Sequence, residues 1–212
     1  AELERRSEQV KLPVRIPASR FKEFIYDLPK IVDMYRRPMP EQPYKQTMAG
    51  TLFHSWVEQR FGVLSNSDEL DAVELKKEDE STQKTVEELR EIFEGSRFAS
   101  MTPHSIESEI QVTIKGNTFI CKLDAVFKTD QGFEIVDWKT GKAPKDAADL
   151  ELKQFQLALY RVAYARWAGI PAENIDAAFY FVAEDKVIRP ERIYSESELE
   201  ERWSSVTGSM PR

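Results

Sequence analysis

Asp124, in the run Cys121-Lys122-Leu123-Asp124-Ala125-Val126-Phe127, is followed one turn later by Asp137 and Lys139 in Glu134-Ile135-Val136-Asp137-Trp138-Lys139-Thr140-Gly141. Both runs are β-rich and joined closely, so they form a hairpin that brings two carboxylates and one ammonium to neighbouring points of a sheet. Asp137 and Lys139 are two residues apart in an extended run and share one face. Hard carboxylate oxygens in proximity suit Mg²⁺ or Mn²⁺, and an ammonium beside them can stabilise charge on a phosphate or orient an attacking water. The competing reading is a surface ion pair worth under about 1 kcal/mol. The neighbours weigh against it: Ile135, Val136 and Trp138 make the strand apolar, where an unpaired carboxylate is costly and a bound cation offsets the cost. Lys139 then leads into a loop carrying Lys142, Pro144 and Lys145, a natural place to meet an anionic polymer.

Two further pairs have spacings that matter. His54 and Glu58 are four apart, on one face of a predicted helix that opens at Gly50-Thr51. A lone histidine on a helix is more often structural than a ligand, and His104 is the alternative; the helix start and the same-face carboxylate favour His54. Gln156 and Tyr160 are also one helical turn apart, interleaved with Phe155, Leu159 and Val162. Alone, that pattern is ordinary amphipathic packing. Gln154 offers a second register for a glutamine on this helix, and the four-residue spacing of Gln156 and Tyr160 is the better match.

The elements that must position these groups follow from apolar periodicity. Helical spacing runs from Ala18 to Arg36, with Ser19 as N-cap and an interruption near Pro29, and Arg36 to Pro40 then opens a linker. Helices are predicted over about 47–61 and 80–94. Strands follow over about 106–115, 118–128 and 133–139, turned by Gly116-Asn117 and Gln131-Gly132. A helix over about 149–167 ends at Gly169 and Pro171, a strand spans 175–183, and a last helix spans 195–206 with Ser195 and Glu198 as a capping box. The reading is α/β: a mixed sheet flanked by helices, in αβββαβ order. Residues 1–46 are expected to be a helical extension and linker, and 47–212 the main domain.

Composition bounds the rest. The 212 residues carry 30 Lys plus Arg against 37 Asp plus Glu, a formal net charge of −7, which disfavours a surface that grips phosphate everywhere. The acidity is uneven. Residues 1–50 hold 10 basic against 7 acidic side chains, whereas residues 51–100 hold 6 against 12, and Ser65 to Glu80 reads as a solvated acidic loop. A single cysteine, Cys121, excludes an intrachain disulfide, a Cys-rich zinc site and an iron–sulfur cluster, and fits a reducing, cytoplasmic compartment. No apolar run spans a bilayer, so no membrane partner is expected. The chain lacks an initiator Met, and the expectation is a fragment of a longer polypeptide.

Taken in order, Gly50 to His54 with Glu58, Asp124, Asp137 to Lys139, and Gln156 to Tyr160 resemble the RecB-like branch of the PD-(D/E)XK nuclease superfamily, over roughly Thr47 to Val182. Pro17-Ala18-Ser19-Arg20, Arg36-Arg37-Pro38-Met39-Pro40 and Gly50 to Gly62 further resemble the C-terminal nuclease domain of actinobacterial UvrD-type helicase-nucleases of the AdnB kind. Cys121 departs from the pattern, standing where the family usually has Gly. The resemblance implies a restriction-endonuclease-like core and a metal-dependent deoxyribonuclease, exonuclease or single-strand endonuclease, acting in DNA repair and recombination. It implies His54, Asp124, Asp137 and the carbonyl of Trp138 as Mg²⁺ or Mn²⁺ ligands and Lys139 as the charge-stabilising or water-positioning group. Gln156 and Tyr160 would orient Lys139 and the strand, with Glu58 supporting His54. The implied partners are DNA, a single strand fed by a helicase motor; helicase domains of the same parent chain; and a second helicase-nuclease subunit. No Gly-x-x-x-x-Gly-Lys-Ser/Thr occurs, so this fragment has no ATP site. The alternative is an inactive nuclease-like module that guides DNA or docks a partner subunit.

Overall fold

In the computed structural model, residue 13 and residues 15–36, 45–62 and 80–208 are described. The predicted linker after Arg36 and almost all of the acidic loop from Ser65 lie outside these residues. The elements are β1 (Arg15–Pro17), α1 (Phe21–Tyr26), α2 (Leu28–Arg36), α3 (Lys45–Arg60), α4 (Glu80–Gly95), β2 (Ser105–Ile114), β3 (Asn117–Thr129), β4 (Gly132–Lys139), α5 (Ala147–Ala168), β5 (Ile175–Phe181), β6 (Lys186–Ile188) and α6 (Glu196–Gly208), with short 3₁₀ turns between several of them. This is the mixed α/β architecture expected, with helices on both sides of a six-stranded sheet.

Strand β3 organises the sheet. Along one edge it pairs antiparallel with β2, from Ser105 opposite Val126 to Ile114 opposite Asn117. Its other edge is shared: β1 runs parallel to residues 118–120, and β4 runs antiparallel to residues 125–129. Residues 121–124 therefore have no ladder partner on that edge, and the gap ends at Asp124. Beyond β4, α5 crosses over to β5, which lies parallel to β4 with Asp137 opposite Phe179 and Lys139 opposite Phe181.

Two apolar layers cover the sheet. Phe119, Cys121 and Leu123 of β3 belong to the larger core with α1, α5 and α6, whereas Ala125 and Phe127 belong to the smaller core under α3 and α4. The same parity reverses in β2, where Ile110, Val112 and Ile114 face the larger core and Ile106 the smaller. Both strands thus exchange faces around Glu107 and Asp124, and Glu107 takes a left-handed backbone, φ 47°. That is an unusual conformation for a residue with a Cβ. It marks where the sheet twists to present carboxylates instead of core.

Local differences from the expected elements have physical causes. Ser19 makes no cap hydrogen bond; Ala18–Arg20 form a 3₁₀ turn, and the helix breaks at Asp27, two residues before Pro29, because proline is tolerated in the first turn of α2. The β2–β3 hairpin turns on Lys115-Gly116, both at positive φ, one residue earlier than predicted. Strands β1 and β6 are three residues each, too short to show periodicity. Helix α5 begins on Asp146, whose carboxylate accepts from Asp149 N at 2.9 Å, and ends on Gly169 at φ 67°. At the start of α6 the Ser195–Glu198 capping box forms as predicted, with Ser195 N donating to Glu198 Oε2 at 2.8 Å. The segment read as a helical extension contributes Ile16, Phe21, Phe24 and Ile31 to the larger core. Phe21 stacks on Trp203, ring centroids 5.4 Å apart.

Gly132 opens β4 against the backbone of Asn174: a Cβ there would lie 2.0 Å from the Asn174 carbonyl oxygen. Backbone cannot yield as a flexible side chain can. Gly132→Ala is expected to destabilise the protein by about 3 kcal/mol, measured by urea unfolding at unchanged m.

Candidate active site

The site lies where the sheet opens. Because the β3–β4 ladder stops at Ala125 and Val136, the backbone N–H of Trp138 is left without a strand partner on β3, and Asp124 Oδ2 accepts it at 2.7 Å. Asp124 is thereby fixed beside the end of β4. On β4, alternation sends Trp138 into the smaller core, packed at 5.0 Å on Phe98 and 5.4 Å on Phe93, and turns Asp137 and Lys139 to the opposite face. These aromatic contacts hold the strand end rigidly. Asp137 is 1% exposed, and its Oδ2 lies 2.6 Å from Lys139 Nζ.

Helix α5 supplies the groups that hold this pair. Gln156 Nε2 donates to Asp137 Oδ1 at 3.0 Å and to the Tyr160 hydroxyl at 2.6 Å, while its Oε1 accepts from Lys139 Nζ at 3.2 Å. One amide thus fixes the carboxylate, the ammonium and the phenol. Gln154, the competing register, is buried elsewhere and does not line the cavity.

From the other side, α3 brings His54 to the carboxylates, with Nδ1 3.6 Å from Asp124 and 3.5 Å from Glu107. Gly50 lets α3 approach closely, since a Cβ there would meet Thr140 Oγ1 at 3.0 Å. Glu107 also pairs with Lys122 Nζ at 2.5 Å, and Lys122 lies 4.0 Å from Glu58. His54, Glu58, Asp124, Asp137, Trp138, Lys139, Gln156 and Tyr160 all line one open cavity of about 510 Å³. The eight residues that the resemblance implies thus border one cavity, whereas His104, Gln154, Lys142 and Lys145 do not line it. Glu107 cannot be told from Glu109 by residue type or spacing; its distinguishing mark is the left-handed backbone, which only the folded chain shows.

The electrostatics are those of crowded, buried charge. Burial and the charge of Asp137 push the Asp124 carboxyl up to about 7, with Glu107 adding to the effect and His54 opposing it. Burial works against the charged forms of His54 and Lys139, yet both are raised, His54 by Asp124 and Glu107 and Lys139 by Asp137. Tyr160 is raised well above the phenol range by burial and the two aspartates, so it remains a neutral hydroxyl.

The PD-(D/E)XK nuclease superfamily profile matches residues 24–210. The chain belongs to the PD-(D/E)XK nuclease superfamily. Among solved structures, a Eubacterium rectale protein described as a candidate exonuclease aligns over 93% of this chain and 79% of its own, with TM-score 0.60 and 16% identity, which supports the shared fold. A second, SSO0001, covers 88% of this chain and 84% of its own at 13% identity and a TM-score of 0.37, too low to argue from. No curated protein matches the sequence.

Residues of this PD-(D/E)XK site fit a divalent cation. His54, Glu107 and Asp124 can each offer one ligand atom, all within 4.8 Å of one another. Oδ2 of Asp137 and Oε2 of Glu107 are buried, and among the described residues each meets a lysine ammonium, Lys139 at 2.6 Å and Lys122 at 2.5 Å, so both oxygens already sit in positions that hold a cationic group. Hard oxygens with one imidazole suit Mg²⁺ or Mn²⁺. Among the described residues no helix is long and apolar enough to cross a membrane.

Proposed function

We propose that this PD-(D/E)XK chain is a Mg²⁺- or Mn²⁺-dependent nuclease domain that hydrolyses DNA phosphodiester bonds. The observation that carries the proposal is the convergence, in one cavity, of a His54–Glu107–Asp124 donor set with the Asp137–Lys139–Gln156–Tyr160 network. His54, Asp124, Asp137 and the Trp138 carbonyl would hold the cation, with Glu107 as a further donor. A cation held by these residues would supply Lewis-acid polarisation of the scissile phosphate and would make a neighbouring water more acidic.

The chain's own residues supply the rest. Lys139, kept protonated by Asp137, donates; it orients the attacking water or meets the charge that develops on the phosphoryl oxygens. Gln156 bonds both Lys139 and Asp137, so it sets the distance between ammonium and carboxylate. Tyr160 fixes the amide in the orientation that permits both bonds. Glu58 and Lys122 border the same cavity next to His54 and Glu107, where they would hold His54 in position.

We further propose, from the sequence features alone, that the domain is the C-terminal part of an ATP-dependent helicase-nuclease processing double-strand break ends. A motor would deliver the strand that a domain of net charge −7 binds weakly by itself.

The deciding experiment is digestion of labelled single- and double-stranded oligonucleotides with Mg²⁺, Mn²⁺ or EDTA, wild type beside Asp137→Ala. Metal-dependent cutting that disappears in the variant is expected. Cutting that persists in EDTA or in Asp137→Ala overturns the reading, and an uncut oligonucleotide under all metals favours an inactive guiding module. Glu107→Ala is expected to lower the Mn²⁺-supported rate about ten- to hundredfold, the range for a group that tunes or supports a metal site, in the same digest.

A further inference from the structure

Ser19 does not cap the helix it precedes; it lines the cavity with Lys139, Gln156 and Tyr160. It heads a stretch that crosses α5, where Phe21 packs on Phe155 with centroids 5.5 Å apart and Tyr26 meets the same ring at 6.2 Å. Between these contacts, Lys22 forms no hydrogen bond or ion pair with any described residue. It is partly buried, and it feels the repulsion of Lys153 and Lys139 as well as the attraction of Glu23 and Asp149. On α5, Asp149, Lys153, Gln156 and Tyr160 are spaced by four, three and four residues, which places them in one row leading into the cavity. Tyr26, one turn after Lys22, is 53% exposed; with Trp167 it is one of two large apolar side chains left open among the described residues.

Among the described residues Lys22 makes no close ion pair, and its half-buried ammonium shares the neighbourhood of two others, Lys153 and Lys139; an anion such as a phosphate would relieve that crowding more fully than Glu23 and Asp149 do. The Asp149–Lys153 ion pair beside it is partly exposed, of the kind worth under about 1 kcal/mol, so it yields readily to a phosphate. An open aromatic ring one helical turn from a cation matches the alternation of base and phosphate along a single strand. In a duplex the bases are stacked within and cannot use that ring. We propose that Ser19, Lys22, Tyr26 and Lys153 form a binding track for single-stranded DNA on the approach to the cavity, with Lys22 and Lys153 holding phosphates and Tyr26 stacking a base. The proposal rests on the nuclease reading and adds the path of the strand to the cavity.

The test is steady-state cleavage of a labelled oligo(dT) with Mn²⁺ at several salt concentrations. Lys22→Gln combined with Lys153→Gln is expected to raise KM about tenfold with kcat changed less than twofold. The slope of log KM against log salt should fall by about 1.4, two phosphate contacts on a single strand. Tyr26→Ala should raise KM about fivefold or more, and Tyr26→Phe should restore it. Lys115→Gln, whose lysine pairs with Glu200 elsewhere on the surface, is the control. An unchanged KM and salt slope in the double variant, or an equal effect of Lys115→Gln, overturns the track. If the wild type does not cut, the nuclease reading fails separately, and the same comparison made by oligo(dT) anisotropy in EDTA still decides the track. A variant that loses its cooperative melt is replaced by Lys22→Met, which keeps the buried stem.

Discussion

Lys139→Ala is expected to lower the Mn²⁺-supported cleavage rate by about 10²- to 10³-fold while leaving divalent cation binding in place, the loss found when one preorganised donor to a developing oxyanion is removed. Lys139 is 33% exposed at its side chain, yet its ammonium lies 2.6 Å from Asp137 and 3.2 Å from Gln156 Oε1. Ala removes the donor without removing a cation ligand. Without metal the variant should lose about 3 kcal/mol, because Ala leaves the buried Asp137 carboxylate with Gln156 as its remaining hydrogen-bond partner among the described residues, and a bound cation should restore part of that loss. Single-turnover cleavage gives the rate, and a Mn²⁺-induced melting shift reports the retained metal. A variant that cuts at the native rate would show that the ammonium has no part in the chemistry. Gln156→Ala should fall between the two, since it frees Lys139 to move without deleting its charge.

The Asp137-x-Lys139 pair was readable because strand periodicity fixes both side chains on one face, and the apolar neighbours forecast the burial of Asp137. Gln156 was readable only as one of two registers. Its selection over Gln154 is a matter of helix phase, which α5 settles by turning Gln154 into the protein and Gln156 towards Lys139. The capping box at Ser195 and the glycine stop at Gly169 were local chemistry and formed as local chemistry predicts. Glu107, by contrast, depends on two strands exchanging faces together at a left-handed residue, a tertiary event with no sequence period. Ser19 has the residue type of a cap and the position of a cavity wall; the 3₁₀ turn before α1 decides between them. Strand β1 escaped for the same reason as β6: three residues carry no alternation, yet β1 ending opposite Ile120 is half of what leaves the edge of β3 open before Asp124.

That opening has a thermodynamic consequence, and Asp124→Asn is the substitution that exposes it. The carboxyl of Asp124 is pushed up to about 7 by burial and by Asp137, from an ordinary value of 3.8. Between these two values the folded state holds a proton that the unfolded chain has released, so the contribution of Asp124 to stability falls as pH rises through that window. Above pH 7 the folded protein carries the full cost of the charged group. Asn keeps an oxygen to accept the Trp138 N–H and carries no charge. In EDTA, Asp124→Asn should therefore melt higher than wild type at pH 8, with the difference shrinking towards pH 5. Divalent cation should reverse the order. At a concentration about 100 times Kd, Mn²⁺ stabilises a specific site by about 2.7 kcal/mol, a rise of several degrees in Tm for a chain of this length. Wild type should show that rise at pH 8 and the variant should not, and the variant should lose cleavage by at least about 10³-fold because the cation is no longer held. Equal Mn²⁺ shifts in the two proteins would place the cation away from Asp124. The same carboxylate that weakens the metal-free fold would then have no ligand to justify its burial, and the gap in the β3 edge would need another explanation.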